Sequence, residues 1–170
     1  MVNGIAKILR ENGAVEFGEF TLASGAKSNY YLDVKTAMTK PLVLSAIAKF
    51  IAGRFSFEVV AGVAVGGVPL ATAVSLASGR PFAIIRSQEK SHGKGGKIIG
   101  HVAGRRVLLV EDVTTSGGSA RYGAQSLREE GALVETVVTV VDREAGAAEM
   151  LGREGLSLVA LARASEILEA

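Results

Sequence analysis

From about residue 58 the chain alternates short β-branched apolar runs with longer mixed segments that close on glycine. The runs EVVAGVAV (58–65), FAIIR (82–86), RVLLVED (106–112), VETVVTVVD (134–142) and LSLVAL (156–161) are predicted as strands. Their apolar residues are continuous rather than alternating, as expected where both faces of a strand are buried. Between them, VPLATAVSLASG (68–79), GSARYGAQSLREEG (118–131) and AGAAEMLGREG (145–155) are predicted as helices ending at glycine. This alternation predicts an α/β fold, a mostly parallel five-stranded sheet flanked by helices on both faces. Ahead of it, PLVLSAIAKFIAGR (41–54) starts with proline at a helix entry and carries an apolar face.

The first 40 residues read differently. A short helix around 3–12 leads into VEFGEFTLASGAKSNYYLDVK (15–35), a pattern of strands broken by turns. That is too little chain for a separate domain. Residues 1–170 are therefore expected to form one domain, with 1–40 as a small N-terminal hood over one edge of the sheet and 41–170 as the α/β core.

Composition narrows the function classes. The hydrophobic fraction of 48% supports a sizeable core, yet no run approaches bilayer-spanning length, and residues 1–7 lack the apolar segment of a secretory signal. Cysteine is absent, which removes disulfides, thiolate metal sites and thiol catalysis and fits a reducing cytoplasm. A net charge of +2 is too small for a general nucleic-acid coat. The positive charge is local instead. RSQEKSHGKGGKIIGH (86–101) gathers Arg86, Lys90, Lys94, Lys97, His92 and His101 among four glycines. Basic loops are often no more than solvated excursions. The two histidines have no carboxylate or thiol at ligand spacing, which argues against a metal pair. His101, after Ile98 and Ile99, is expected to be structural.

RVLLVEDVTTSGGSA (106–120) carries the most chemistry. A buried apolar strand ends in Glu111 and Asp112, and Thr114, Thr115, Ser116, Gly117, Gly118 and Ser119 then open a helix. Such a loop can turn backbone N–H groups around a phosphate, with the helix dipole and the hydroxyls in support. The two carboxylates would repel a phosphate but suit sugar hydroxyls or a magnesium ion. A lone Gly/Ser/Thr loop is often an ordinary strand–loop–helix turn. Here the apolar strand, paired acids and loop follow one another without a gap, and together they describe a sugar-phosphate site. Other phosphate motifs fail: GGKI at 95–98 has isoleucine where a P-loop needs a hydroxyl, and neither G-x-G-x-x-G nor G-x-S-x-G is present.

This segment resembles the phosphoribosyl-pyrophosphate (PRPP) motif of the type I phosphoribosyltransferases, and the wider chain resembles the orotate phosphoribosyltransferases among them. FTLASGAKSNYYLD (20–33) is similar to that family's base-binding hood, and AGVAVGGVPLA (61–71) to its pyrophosphate loop. RSQEKSHGKGG (86–96) is similar to its catalytic loop, and VVDREAGA (140–147) to the strand end bearing a base-contacting arginine. Five motifs in the family's order make the match specific.

The resemblance implies transfer of the 5-phosphoribosyl group from PRPP to orotate, giving orotidine 5′-monophosphate and pyrophosphate. It implies that Glu111 and Asp112 hold the ribose hydroxyls, and that Thr114, Thr115, Ser116, Gly117, Gly118 and Ser119, with Val113 beside them, surround the 5′-phosphate. Thr115 would lie close to the base and Arg143 would face orotate; the plain alternative for Arg143 is a surface pair with Glu144. Lys27, Tyr30 and Tyr31 would belong to the hood, with one tyrosine covering the base and the other packing inward. Gly66 and Gly67 would let the backbone approach pyrophosphate, although a tight turn before a helix would also use them. Arg86, Lys90 and His92 would meet the leaving pyrophosphate, making Lys90, His92 and Asp112 the expected catalytic set. Magnesium would arrive on PRPP, near Glu111 and Asp112, without direct protein ligation. The family pattern further implies a homodimer whose 86–97 loop reaches the neighbouring site, with no nucleic-acid or membrane partner. Two positions depart from it: Ala23 and Ser87 stand where many members carry lysine, and Lys27, Lys35 and Lys94 are the cations able to stand in. The competing readings are a phosphoribosyltransferase for a purine or other base, and a non-catalytic PRPP-sensing regulator.

Overall fold

The computed structural model describes residues 2–21, 25, 27–87 and 96–170. A six-stranded sheet runs in the order β5-β4-β3-β6-β7-β8, built from β3 (Val59–Val63), β4 (Phe82–Ile85), β5 (Ile98–Ile99), β6 (Val107–Thr114), β7 (Thr136–Asp142) and β8 (Ser157–Arg163). Five of these strands are parallel, as the alternating pattern predicts. The five-stranded expectation is short by one strand. β5 pairs antiparallel with β4 through Ile84 and Ile85, adding an edge where the chain returns from the basic segment.

Burial on both faces explains the unbroken apolar runs. Along β6, Leu108 and Val110 pack into one core with Ile47 and Ile51 of α3 (Pro41–Arg54) and Leu70 and Val74 of α4 (Gly67–Ser78). Val107 and Leu109 face the other core, with Ala124 and Leu127 of α5 (Gly118–Glu129) and Leu151 of α6 (Ala147–Arg153). Successive side chains on a strand point to opposite faces, so each of these layers needs its own helix cover. Gly79 ends α4 in the left-handed conformation, with its N–H bonded to Ser75 O at 2.9 Å.

At the N-terminus, α1 (Val2–Glu11) buries Ile5, Ala6 and Leu9 and packs against β8, the far edge of the sheet, and against α7 (Ala164–Glu169). The Arg10 guanidinium donates to the carbonyls of Ile167 and Leu168, binding the two chain ends together. A separate antiparallel hairpin follows, β1 (Val15–Thr21) with β2 (Lys27–Leu32), irregular between Phe17 and Phe20. It leads into α2 (Val34–Met38), whose N-cap Asp33 accepts from Thr36 N at 3.0 Å. α2 contacts the central strand β6, so this short helix reaches the middle of the sheet.

Candidate active site

The sheet order reverses between β3 and β6. From β3 the chain winds outward to β4; from β6 it winds the other way to β7 and β8. Loops at the carboxyl ends of two such strands diverge and leave a crevice, the usual ligand site of an open α/β sheet. Here the divergent loops are 64–67, leading into α4, and 115–117, leading into α5. Both are sequence-predicted anion loops, and they sit at the ends of neighbouring, hydrogen-bonded strands.

Close packing requires glycine in the first loop. A Cβ on Gly62 would collide with the Gly67 carbonyl, and one on Gly67 would lie 2.8 Å from Val110 O. The Gly66 Cβ position would be 2.5 Å from Asp112 Oδ1, so this loop folds directly onto the carboxylate. The peptide between Ala64 and Val65 is cis. In the second loop Gly117 has φ 82° and caps α5, and a Cβ there would meet Met150 Cε at 2.7 Å. Thr115, Ser116, Gly118 and Ser119 are exposed around it, whereas Val113 is partly buried and Thr114 buried. Thr114 Oγ1 faces Asp142 Oδ1 at 3.4 Å, so this hydroxyl is engaged inside the fold rather than offered by the loop.

Glu111 and Asp112 adjoin in sequence and point to opposite faces of β6. Glu111 turns toward α5, where Ser119 Oγ donates to its Oε1 at 2.8 Å. Burial in this layer pushes the Glu111 carboxyl up to about 7, against the downward pull of the Ser119 hydrogen bond; Asp112 adds to the rise and Lys35 opposes it. Asp112 turns toward α2 and α4 and is only 4% exposed. Its Oδ2 has no hydrogen-bond partner of good geometry among the described residues, but the Lys35 ammonium stands 2.7 Å away. The contact is thus an ion pair, and it raises the Lys35 ammonium above its ordinary range. Lys35, Met38, Thr39, Leu44, Val65, Gly66, Pro69 and Asp112 line a cavity of about 250 Å³ at this point. The larger concavity between α1 and α7, about 800 Å³, lies at the opposite edge of the sheet from β4 and away from both loops.

Arg143 follows β7 directly, and its backbone N–H donates to Thr114 O at 2.9 Å, which fixes it beside the second loop. The alternative pairing with Glu144 is not formed: the Glu144 carboxylate accepts from Ser165 N at 3.1 Å, which also holds it below its usual range. In the hairpin, Tyr30 packs against the core while Tyr31 is exposed and lies 5.7 Å from the Phe20 ring. Lys27 Nζ donates to Thr21 Oγ1 at 3.0 Å across the two strands.

The basic segment leaves and rejoins the sheet at a pinned neck. Arg86 N donates to Lys97 O at 2.8 Å, the Arg86 guanidinium to Gly96 O at 2.7 Å, and Tyr122 Oη to Arg86 O at 2.9 Å. Lys97 pairs with Glu129 at 2.9 Å. His101 is exposed and takes no part in the core. Lys90, His92 and Lys94, with Ala23, lie outside the described residues. The arrangement brings together Gly66, Gly67, Glu111, Asp112, the 113–119 segment and Arg143. It also adds Lys35, which the sequence marked only as one of three replacement cations.

Residues 35–152 match the phosphoribosyl transferase domain family. The chain is 64% identical over 169 residues to an orotate phosphoribosyltransferase of Methanoculleus marisnigri, covering 99% of each. It is 44% identical to that of Pyrococcus abyssi, over 100% of this chain and 97% of the relative. Among solved structures, the orotate phosphoribosyltransferase of Aeropyrum pernix superposes with a TM-score of 0.84 at 34% identity, covering 97% of this chain and 96% of the other. That of Mycobacterium tuberculosis in complex with PRPP gives 0.79 at 31%, covering 98% of each. With two glycine-containing loops on a β3–β6 crevice and relatives matching end to end, the chain belongs to the orotate phosphoribosyltransferases of the phosphoribosyl transferase domain family.

Proposed function

We propose that this chain catalyses transfer of the 5-phosphoribosyl group of PRPP to orotate, releasing pyrophosphate and forming orotidine 5′-monophosphate, a step of pyrimidine biosynthesis. The observation that carries this reading is the placement of two glycine-containing loops near the Asp112 carboxylate, at the switch point of the sheet. PRPP has the matching shape: a monophosphate and a diphosphate separated by a ribose.

In this reading the 115–119 loop receives the 5′-phosphate on backbone N–H groups, hydroxyls and the start of α5. The 64–67 loop receives the diphosphate, and Asp112 with Glu111 accepts hydrogen bonds from the ribose hydroxyls. Breaking the C1–O bond leaves positive charge on the ribose ring and negative charge on the departing diphosphate. Groups that stabilise those charges act more on the transition state than on the ground state. Arg86, Lys90 and His92 are the candidates for the leaving group, with His92 able to supply a proton to it. The Arg86 guanidinium would have to exchange its Gly96 carbonyl for the diphosphate. Arg143, fixed beside the phosphate loop, would hold the planar anionic base, with Tyr31 and Lys27 of the hairpin as the covering face.

No group of three or more potential metal ligands occurs among the described residues. Asp112 is neutralised by Lys35 and Glu111 is buried, so the two carboxylates form no cage of their own. This donor set fits a magnesium ion that takes most of its oxygens from PRPP and water. When bound, the ion would neutralise diphosphate charge. We further place the chain in the cytoplasm, as a homodimer in which the 86–97 segment reaches the neighbouring site. Val65 just before α4 and Leu76 near its end are about four-fifths exposed and offer apolar surface for such contact.

Purified protein given magnesium, PRPP and orotate should consume orotate, with one pyrophosphate released per orotate lost. Pyrophosphate release without loss of orotate would mean hydrolysis and would overturn the assignment.

A further inference from the structure

Asp112 and Lys35 are unequal partners. The aspartate is 4% exposed and wedged against Gly66, with no room to move toward the loop. The lysine side chain is 67% exposed, and its backbone is fixed: Asp33 caps α2, while Val34, Ala37 and Met38 are buried around it. A four-carbon stem on an anchored Cα lets the ammonium swing without disturbing the helix. Because an unpaired buried carboxylate is costly, the ammonium can leave Oδ2 only as other donors take over Asp112, and the hydroxyls of a bound ribose are such donors. The cavity shared with Asp112 is also lined by Val65, Gly66 and Pro69, and among the described residues that line it Lys35 is the one cation. An anion seated on the 64–67 backbone would therefore lie in the cavity that Lys35 borders.

The other described cations near the crevice do not border this cavity. Arg86 is bound to Gly96 O and Lys97 to Glu129, while Arg143 stands beyond β6 at the end of β7.

We propose that Lys35 is a diphosphate-binding residue that serves two anions in turn. It neutralises the buried Asp112 until ribose hydroxyls take over that carboxylate, and it then passes to the diphosphate of the same ligand. The exchange couples recognition of the two halves of PRPP: ribose bound to Asp112 frees the cation that the diphosphate needs. This inference rests on the PRPP-site reading above, and it assigns to Lys35 a role in binding the diphosphate.

Equilibrium binding of three probes, PRPP, pyrophosphate and ribose 5-phosphate, to wild type, Lys35→Gln and Lys35→Arg tests it. The expected result for Lys35→Gln is about tenfold or greater weakening of PRPP and pyrophosphate. Ribose 5-phosphate, which has no diphosphate, should bind as well as to wild type or better, because the competing ammonium is gone. Lys35→Arg should recover most of the pyrophosphate affinity. Equal weakening of PRPP and ribose 5-phosphate with pyrophosphate unchanged would show that Lys35 only positions Asp112, and would overturn the proposal. So would a Lys35→Gln protein that binds all three probes like wild type, an outcome that leaves the PRPP site itself standing. Failure of the wild type to bind PRPP would remove both readings together. Lys35→Gln leaves the buried Asp112 carboxylate without its cation and should melt below wild type, so the three probes are compared at a temperature where all the variants are folded.

Discussion

Gly66 sits so close to Asp112 that a Cβ on the glycine would fall 2.5 Å from the carboxylate oxygen Oδ1. The backbone at Gly66, φ −63° and ψ −39°, is one that alanine adopts freely, so steric contact alone forbids the substitution. Gly66→Ala should displace the carboxylate or the loop and lower kcat/KM for PRPP by roughly 100-fold, the usual scale for misplacing a reacting group by about 1 Å. Gly53, in the last turn of α3, has nothing within 4 Å of its Cβ position. Gly53→Ala should therefore leave kinetics unchanged and stabilise the fold by about 0.5–1 kcal/mol. Steady-state kinetics and urea unfolding of the two variants check the pair.

Glu111 gives the fold a pH dependence. Its carboxyl is raised from 4.5 to about 7, mainly by burial, so between those values the folded protein keeps a proton that the unfolded chain has released. Stability supplied by this group is therefore present below about pH 4.5 and declines as pH rises to about 7, by at most about 3 kcal/mol. Glu111→Gln cannot titrate. The difference in unfolding free energy between wild type and Glu111→Gln, followed from pH 4.5 to 7.5, should shrink in that direction; a flat difference would contradict the burial argument.

Arg143 should separate base recognition from PRPP recognition. Arg143→Ala should raise KM for orotate about 100-fold while PRPP affinity stays within about twofold. Arg143→Lys should recover little of it, because an ammonium cannot present the planar fork that matches a carboxylate. Calorimetric titration with PRPP, alongside orotate kinetics, distinguishes this from collapse of the adjoining phosphate loop.

Tyr122 tests the neck of the basic segment. Its hydroxyl is donated to the Arg86 carbonyl at 2.9 Å, and Tyr122→Phe removes that donor without changing the ring. A loss of about 1 kcal/mol is expected, seen as a fall in Tm of roughly 2–4 °C. If Arg86 acts on the leaving group from this neck, kcat should fall while KM for orotate holds.

The core of the fold was legible because its code is local. Five continuous apolar runs, each flanked by a glycine-terminated helix, can form little besides a parallel sheet covered on both faces. Short elements escaped: β5 is two residues at the end of a glycine-rich basic stretch, and α2 and α7 are too brief to show a helical period. At the site, the loop after β6 was readable since strand, acids and glycines are contiguous. The divergence of Glu111 and Asp112 to opposite faces follows from the two-residue period of a strand, but what each meets does not. Ser119 reaches Glu111 because α5 covers one face, and Lys35 reaches Asp112 because α2 lies against β6 on the other. Those meetings are made by topology, and the sequence around Lys35 shows only an N-capped turn. Thr114 illustrates the reverse case, a hydroxyl that looks like part of the loop by spacing yet is turned inward to Asp142.

The central claim, that this crevice joins PRPP to orotate, is tested most directly by competition. Wild-type protein is supplied with magnesium, PRPP and an equimolar mixture of orotate, uracil, adenine, guanine, hypoxanthine and xanthine, and the nucleotides formed are identified by mass. Orotidine 5′-monophosphate should dominate the products, and Asp112→Asn should abolish most of it. A purine nucleotide as the main product would contradict the base assignment at Arg143, and PRPP binding with no nucleotide from any base would contradict catalysis itself.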